Sequence, residues 1–395
     1  MAEQRTEGSA VSRRGFLKAA AAGPAAVALG AASSAEAQEK AKAPGAKIKA
    51  HRTLGRTGLK ISDVSLGTYG LTQGQVIAAA LDAGVNYLDT GPTYGNAEIM
   101  IGEAMRGRDR SKVIIGTRWY IGPGVSSAAL LDSLDKSLKR LETTCVDLML
   151  VGGADNVEQV KSPALFEAFE AAKKAEKAKF LGVASHAGAI LDIMEEAINS
   201  GKFDVIMPTY NFSRPAFRDV LAKAKAKNVG VIAMKTLGGA KQARLEPAEA
   251  QSFPRAAIAW ALKDPAVSTA NIGMKNLDQV EDYLGASGTP FTAADAELLE
   301  KYIRVAGASY CRPGCSACTQ CYTGSVRVAD ILRFRMYFED YGLEKQAMLE
   351  YAGLSAADNA SSVAEGRGLA GLDRCPYGLE VPKLLAEAHR MLTLA

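Results

Sequence analysis

The sequence predicts an α/β protein built on a closed (β/α)8 barrel and followed by a C-terminal α-helical, cysteine-rich extension. Short apolar runs recur between Ser62 and Met274, helical periods separate them, and five of the six cysteines fall after residue 310. Composition is that of a globular chain: 395 residues, 48% hydrophobic and 7% aromatic, with 47 Lys+Arg against 43 Asp+Glu for a net charge of +4. So small a surplus, with no long basic run, gives no electrostatic reason to expect nucleic acid, which needs clustered cations against phosphates.

The first element is an address. SRRGFLK at Ser12–Lys18 precedes a mild Ala/Gly stretch to Ala32, and AEAQ follows at Ala35–Gln38. This order reads as a signal peptide over residues 1–37. The stretch from Ala19 to Ala32 contains Gly23 and Pro24 and falls short of the ~20 apolar residues that span a bilayer. No other segment qualifies, so the mature protein is expected to have no transmembrane segment. The paired arginines before Phe16 and Leu17 resemble the twin-arginine export signal, which carries folded proteins and implies a periplasmic location. Residues 38–50 (QEKAKAPGAKIKA) read as a polar linker.

Residues 51–304 form the barrel. SDVSLGT, VNYLDT, VIIGTR, VDLMLVG, FLGVAS, FDVIMPTY, GVIAMKT and VSTANIGM read as eight strands. Their continuous rather than alternating hydrophobicity marks parallel strands buried on both faces, which need helical crossovers. In one crossover Leu130, Leu134, Leu138 and Leu141 share a face, while Asp132, Lys136, Lys139 and Arg140 turn outward. An open doubly wound sheet would also alternate, but no strand is followed by its Gly-x-Gly-x-x-Gly turn. A barrel places chemistry at the C-terminal ends of its strands.

The segments RTLGRTGLKISDVSLGT, YLDTGPTYGNAE, KSLKRLETTCVDLML, FLGVASH and GVIAMKTLGG, in that order between Arg52 and Gly239, resemble the aldo-keto reductases. The resemblance runs over most of residues 51–300. It implies NADPH- or NADH-linked carbonyl reduction by an Asp-Tyr-Lys-His tetrad, in which a tyrosine donates the proton and a neighbouring cation makes the phenol a usable acid. The family Asp and Tyr fall on Asp89 and Tyr94. The family Lys falls on Arg118, which cannot relay a proton, and the family His falls on Gly152. On the cofactor side the resemblance assigns Gly67 and Thr68 to the nicotinamide riboside and Ser185 and His186 to the carboxamide. Tyr210 is assigned to ring stacking and Lys275, in NIGMKNLDQVED, to the adenosine phosphate. His186 replaces the commoner Asn and is either a substitute orienting donor or a locally bonded loop imidazole. NADP and NAD are not separated.

Residues 305–395 form the extension. YCRPGCSACTQCYTG brings Cys311, Cys315, Cys318 and Cys321, and DRCPYGLEVP brings Cys375 before Pro376. Three closely spaced thiolates with a remote Cys-Pro fit a ferredoxin-type [4Fe–4S] cluster on Cys315, Cys318, Cys321 and Cys375, with Cys311 as alternate. A subgroup of aldo-keto reductases is similar, with an iron–sulfur extension after the barrel. Zinc, which tolerates Cys-x2-Cys spacing, and periplasmic disulfides remain alternatives. FRMYFEDYG (Phe334 to Gly342) and VPKLLAEAHRML (Val381 to Leu392) are expected to be helices covering the cluster.

The expected function is an exported oxidoreductase for a small-molecule carbonyl or alcohol, with Asp89, Tyr94 and Arg118 as its catalytic set and a redox partner protein as a further expectation. The alternative is a non-catalytic barrel serving as a periplasmic electron-carrying or binding protein.

Overall fold

The structure is a computed structural model that describes residues 45–213, 217–239, 244–312, 315 and 317–393. The expected signal peptide and residues 38–44 lie outside the described residues. Eight parallel strands close into a barrel: β1 Val64–Gly67, β2 Tyr87–Asp89, β3 Ile114–Trp119, β4 Val146–Val151, β5 Ala178–Ser185, β6 Val205–Pro208, β7 Gly230–Met234 and β8 Thr269–Gly273. Each pairs with its sequence neighbours, and β8 closes on β1 in the register Asn271 opposite Ser65 and Gly273 opposite Gly67. This is the (β/α)8 barrel expected from the alternating apolar runs and helical periods.

Two apolar layers hold it. Alternate residues such as Tyr87, Ile114, Leu148, Leu150, Ala184, Val205, Met207 and Ile232 fill the interior. Their neighbours, among them Leu88, Ile115, Met149, Val151, Val183 and Ile206, pack outward among the surrounding helices. The Ser127–Arg140 helix buries Leu130, Leu134 and Leu138 as its spacing requires, with Ser126 capping its first turn by accepting from the Ala129 amide at 3.2 Å. A hairpin of His51–Thr53 and Lys60–Ser62 precedes the barrel, and Leu54 and Ile61 from it complete the interior layer.

Residues 45–50 are not a free linker. The Ala46 amide donates to the Glu281 carboxylate, the Ile48 amide to Ala83 O and the Lys49 amide to Ser287 Oγ, while Ala46 and Ile48 pack on the core. Polar composition hid these long-range backbone bonds. At the other end, the Ala293–Ala306 helix carries the barrel two residues past the expected boundary at 304.

The extension contributes helices Val328–Glu339, Glu344–Ala352, Ser361–Ala364 and Val381–Leu392 around an apolar cluster of its own. The aromatic stretch thus divides: Phe334–Glu339 is helical, while Asp340–Gly342 forms the connection to the next helix. Tyr69, from the loop after β1, packs into that cluster and donates its hydroxyl to Glu350 Oε1 at 2.5 Å, and Arg327 pairs with Asp155 at 2.9 Å. The extension therefore sits over the C-terminal ends of the strands.

Asp63 secures closure at the opposite end of the barrel. Buried, it accepts from Ser287 Oγ at 2.6 Å and the Gly288 amide at 2.8 Å, while its carbonyl takes the Ala270 amide of β8 at 2.8 Å. Asp63→Ala would strand two donors and is expected to cost about 2–4 kcal/mol, measured by urea unfolding of the two proteins.

Candidate active site

Strand alternation decides which side chains reach the barrel mouth. With Tyr87 inside and Leu88 outside, Asp89 points in; with Ile114 inside and Ile115 outside, Arg118 points in; Ala270 and Ile272 lie outside, so Asn271 points in. Asp89, Tyr94, Arg118, Gly67, His186 and Lys275 all line one mouth cavity of about 630 Å³. Thr68, Ser185 and Tyr210 do not. Each has the outward phase, following Leu66, Val183 and Ile206 of the helix-facing layer.

Those three are engaged elsewhere. Thr68 donates its hydroxyl to Asp89 O at 2.9 Å, and Ser185 donates to Ala154 O at 2.7 Å while accepting the Ala187 amide. Tyr210 packs on Trp260, with ring centroids 4.9 Å apart, and reaches Asp264 at 3.3 Å. The period-two phase, read from Met207 inside, was the signal that separates Tyr210 from the cavity.

Asp89 is the hub of the mouth. Arg118 Nη2 donates to its Oδ2 at 2.8 Å, Asn271 Nδ2 to the same oxygen at 3.2 Å, and the Tyr87 hydroxyl to Oδ1 at 3.2 Å. Arg118 also donates to Thr90 O, and its guanidinium carbon lies 5.0 Å from the centroid of the Tyr94 ring. Burial pushes the Tyr94 phenol well above its ordinary value, outweighing the opposite pull of Arg118. The phenol therefore remains protonated through neutral pH. Burial is the largest single influence and would lower the Arg118 guanidinium, but Asp89, with Tyr94 and Tyr120, together outweighs it and holds the group up.

Gly152 explains why Arg118 fits. A Cβ at 152 would lie 2.8 Å from Arg118 Cδ and 3.0 Å from Tyr120 Cε1. The absence of a side chain at 152 and the guanidinium at 118 are one steric arrangement.

The cavity's outer wall comes from the extension. Lys235, just past β7, donates to the Tyr337 hydroxyl at 2.5 Å and lies 4.4 Å from that ring's centroid. Lys275 donates to Tyr341 O, so its ammonium is held by the extension. Burial lowers the Lys235 ammonium to about 8, assisted by Arg333 and opposed by Tyr341 and Glu350. His186 is held well below its ordinary value by burial and by Arg333, Lys235, Arg118 and Arg327, so its ring is neutral. Its buried Nδ1 has no hydrogen-bond partner, unlike the locally bonded imidazole considered above. Asn271, Lys235 and Tyr337 are the residues that sequence reasoning missed. A polar residue on the inward phase of β8 was a usable signal for the first; nothing local marks the pairing of the other two.

In the extension, Cys318 is pushed up to about 11 by burial and by the neighbouring Cys315, Cys375 and Cys321 thiols, so the four expected ligands share one neighbourhood. The 3₁₀ turn Ala317–Gln320, with the Cys321 and Tyr322 amides donating to Cys318 O, folds the close-spaced thiols together. Gly371 lets the Cys375 segment approach, since a Cβ there would lie 2.2 Å from Cys321 O. No disulfide links the six cysteines, and among the described residues no three His, Cys, Asp or Glu side chains stand close enough to hold a metal ion.

Two measurements test this electrostatic and steric reading. Gly152→Ala is expected to cost about 1–3 kcal/mol by overpacking, and appreciably less in an Arg118→Ala background, a coupling of at least ~0.5 kcal/mol in a double-mutant cycle. Lys235, lowered to about 8 in the folded protein, keeps its proton to about 10.4 when unfolded. Between these values the unfolded chain binds the extra proton, so stability should rise with pH. Lys235→Met is expected to flatten that rise in denaturation curves taken across the same window.

Residues 66–253 match the Aldo/keto reductase family model. L-galactose dehydrogenase of Arabidopsis thaliana is 27% identical over 281 residues, covering 60% of this chain and 87% of that protein. The oxidoreductase YrpG of Bacillus subtilis is 28% identical over 293 residues, covering 59% of this chain and 89% of its own length. A solved structure from Pseudomonas aeruginosa, described as an aldo-keto reductase, superposes with a TM-score of 0.52 at 26% identity, covering 64% of this chain and 98% of that one. Over residues 66–253, the barrel is therefore similar in sequence to the aldo/keto reductase family, and its fold is that of the solved relative.

Proposed function

We propose that the protein is an oxidoreductase for a small-molecule carbonyl or alcohol, with Tyr94 as proton donor, Asp89 and Arg118 as the pair that tunes it, and a [4Fe–4S] cluster in the extension. The observation that carries this reading is the convergence of Asp89, Arg118 and Tyr94 on one cavity at the C-terminal mouth of the barrel. Tyr94 holds a proton at its hydroxyl for an oxygen that gains negative charge. Arg118, fixed over the Tyr94 ring by Asp89 and Thr90, favours the phenolate left behind. Because Arg118 cannot exchange its own proton, it acts only as a fixed charge.

For a nicotinamide dinucleotide, NADP or NAD, Gly67 and His186 would lie at the ring end and Lys275 at the phosphates, all three being on the cavity wall. When bound, that group supplies the hydride. Lys275 must first release Tyr341 O. Cys315, Cys318, Cys321 and Cys375 would hold the cluster, which would supply one-electron chemistry; the close spacing of the first three, with a remote Cys-Pro, supports this set. The SRRGFLK motif supports export of the folded protein to the periplasm, where a redox partner protein would meet the extension.

Anaerobically purified protein is expected to be brown, with about four iron and four sulfide per chain, and Cys375→Ser is expected to lose most of both. Turnover of aldehydes and aldoses, the latter suggested by the plant relative's name, is expected to fall about 10²-fold in Tyr94→Phe. Iron-free protein would remove the cluster, and full activity in Tyr94→Phe would remove that residue's role.

A further inference from the structure

We infer that Lys235 is a nucleophilic amine: presented to the mouth cavity by a left-handed backbone turn and hydrogen-bonded to the Tyr337 phenol, it forms an imine with a small aldehyde or ketone. The inference rests on reading the cavity as a carbonyl site, and is independent of dinucleotide and cluster.

Backbone conformation is the first support. Four non-glycine residues among those described have positive φ: Glu142, Glu176, Asn228 and Lys235. The first three lie just beyond the C-termini of the helices Ser127–Arg140, Pro163–Lys174 and Arg218–Ala226, where left-handed closure is routine. Lys235 instead follows a strand. Met234 before it already faces the cavity, and with φ at +56° Lys235 faces the cavity too, against the alternation of an extended chain. A strained residue at a cavity mouth is a pointer to function.

The environment is the second. Among the described residues, Nζ has the Tyr337 hydroxyl at 2.5 Å as its hydrogen-bond partner, and no carboxylate lies within ion-pair distance. The Tyr337 and Tyr341 rings lie 4.4 and 5.7 Å away. Arg333 and Tyr337 face it from the Val328–Glu339 helix, Tyr341 from the connection after that helix, Glu350 from the Glu344–Ala352 helix and His186 from just past β5. A lysine that merely pinned the extension would be better served by a carboxylate. Desolvation and a neighbouring cation are the two ordinary means of activating an amine, and burial and Arg333 supply both, holding Lys235 near 8.

The step balances without an added oxidant or reductant. The Nζ lone pair forms a bond to the carbonyl carbon, and the carbonyl π pair moves to oxygen, which takes the Tyr337 proton. Tyr337 recovers a proton from the nitrogen. The carbinolamine hydroxyl then takes the Tyr337 proton and leaves as water while the nitrogen lone pair forms the C=N bond, and the nitrogen returns its remaining proton to Tyr337.

The test is reductive trapping. Full-length protein is treated with propionaldehyde and sodium cyanoborohydride without nicotinamide, and labelled lysines are mapped by peptide mass spectrometry. Lys112, with its side chain 81% exposed, is the internal reference. At about pH 7 a lysine near 8 has roughly 200-fold more free amine than an ordinary one, so Lys235 should label at least ~10-fold faster than Lys112, allowing for its restricted access. Tyr337→Phe should slow the Lys235 adduct without changing that of Lys112, and Lys235→Arg should remove it. Labelling of Lys235 no faster than Lys112 overturns the inference. The wild-type competition decides even if a variant fails to fold. Carbonyl turnover without trapping would end this inference and leave the oxidoreductase reading, whereas trapping without turnover would do the reverse.

Discussion

The buried ion pair between Arg118 and Asp89 fixes the rest of the mouth. Two charges withdrawn from water are tolerated only when their remaining hydrogen-bonding capacity is met. Asp89 meets it with Asn271 and Tyr87, and Arg118 with Thr90 O. Three strands are thereby tied at one point: β2 gives Tyr87 and Asp89, β3 gives Arg118 and β8 gives Asn271, while Gly152 after β4 leaves room for the guanidinium. The Tyr94 phenol stands beside this pair but takes no hydrogen bond from the guanidinium, which lies over its ring. The cation can favour a phenolate without exchanging a proton with it.

The extension completes the cavity. It places Tyr337, Tyr341, Arg333 and Glu350 opposite the strand ends, and its contacts to barrel loops include Arg327 to Asp155, Tyr69 to Glu350, Lys235 to Tyr337 and Lys275 to Tyr341 O; the last three line the cavity. Two of these engage lysines that would otherwise face a ligand. Docking of the extension and loading of the cavity are therefore coupled, since a ligand that recruits either ammonium must compete with a contact holding the wall in place. A cluster ordering the cysteine turn would act on the same wall through the apolar core around Leu332, Tyr337 and Leu385, against which Cys318 and Cys375 pack.

The barrel was legible because its signal is local and repeated: each strand is a short apolar run and each crossover has a helical period. Asp89, Tyr94 and Arg118 were legible because motif order places them at strand ends. Thr68, Ser185 and Tyr210 were misplaced by matching motifs without following the inward and outward phase, although Leu66, Val183 and Ile206 carried it. Lys235 defeats phase altogether, because its left-handed turn presents it on the same side as Met234. Its partner Tyr337 lies 102 residues away in a segment read only as a covering helix. Such a pairing is set by how the extension docks, and no local pattern encodes it.

Arg118 and Gly152 are two parts of one steric arrangement, because a Cβ at 152 would lie 2.8 Å from Arg118 Cδ. A guanidinium is broader than an ammonium, and to reach Asp89 it occupies the space that a side chain at 152 would need. Once Arg118 is in place, an imidazole there is sterically excluded, so any orienting donor must come from another direction. His186 and Lys235 both approach from the far side of the cavity, where the neutral imidazole Nδ1 is without a partner and the ammonium rests on a phenol. The mouth therefore groups its carboxylate hub and Tyr94 on one side, with further polar groups from the ends of β5 and β7 and from the extension.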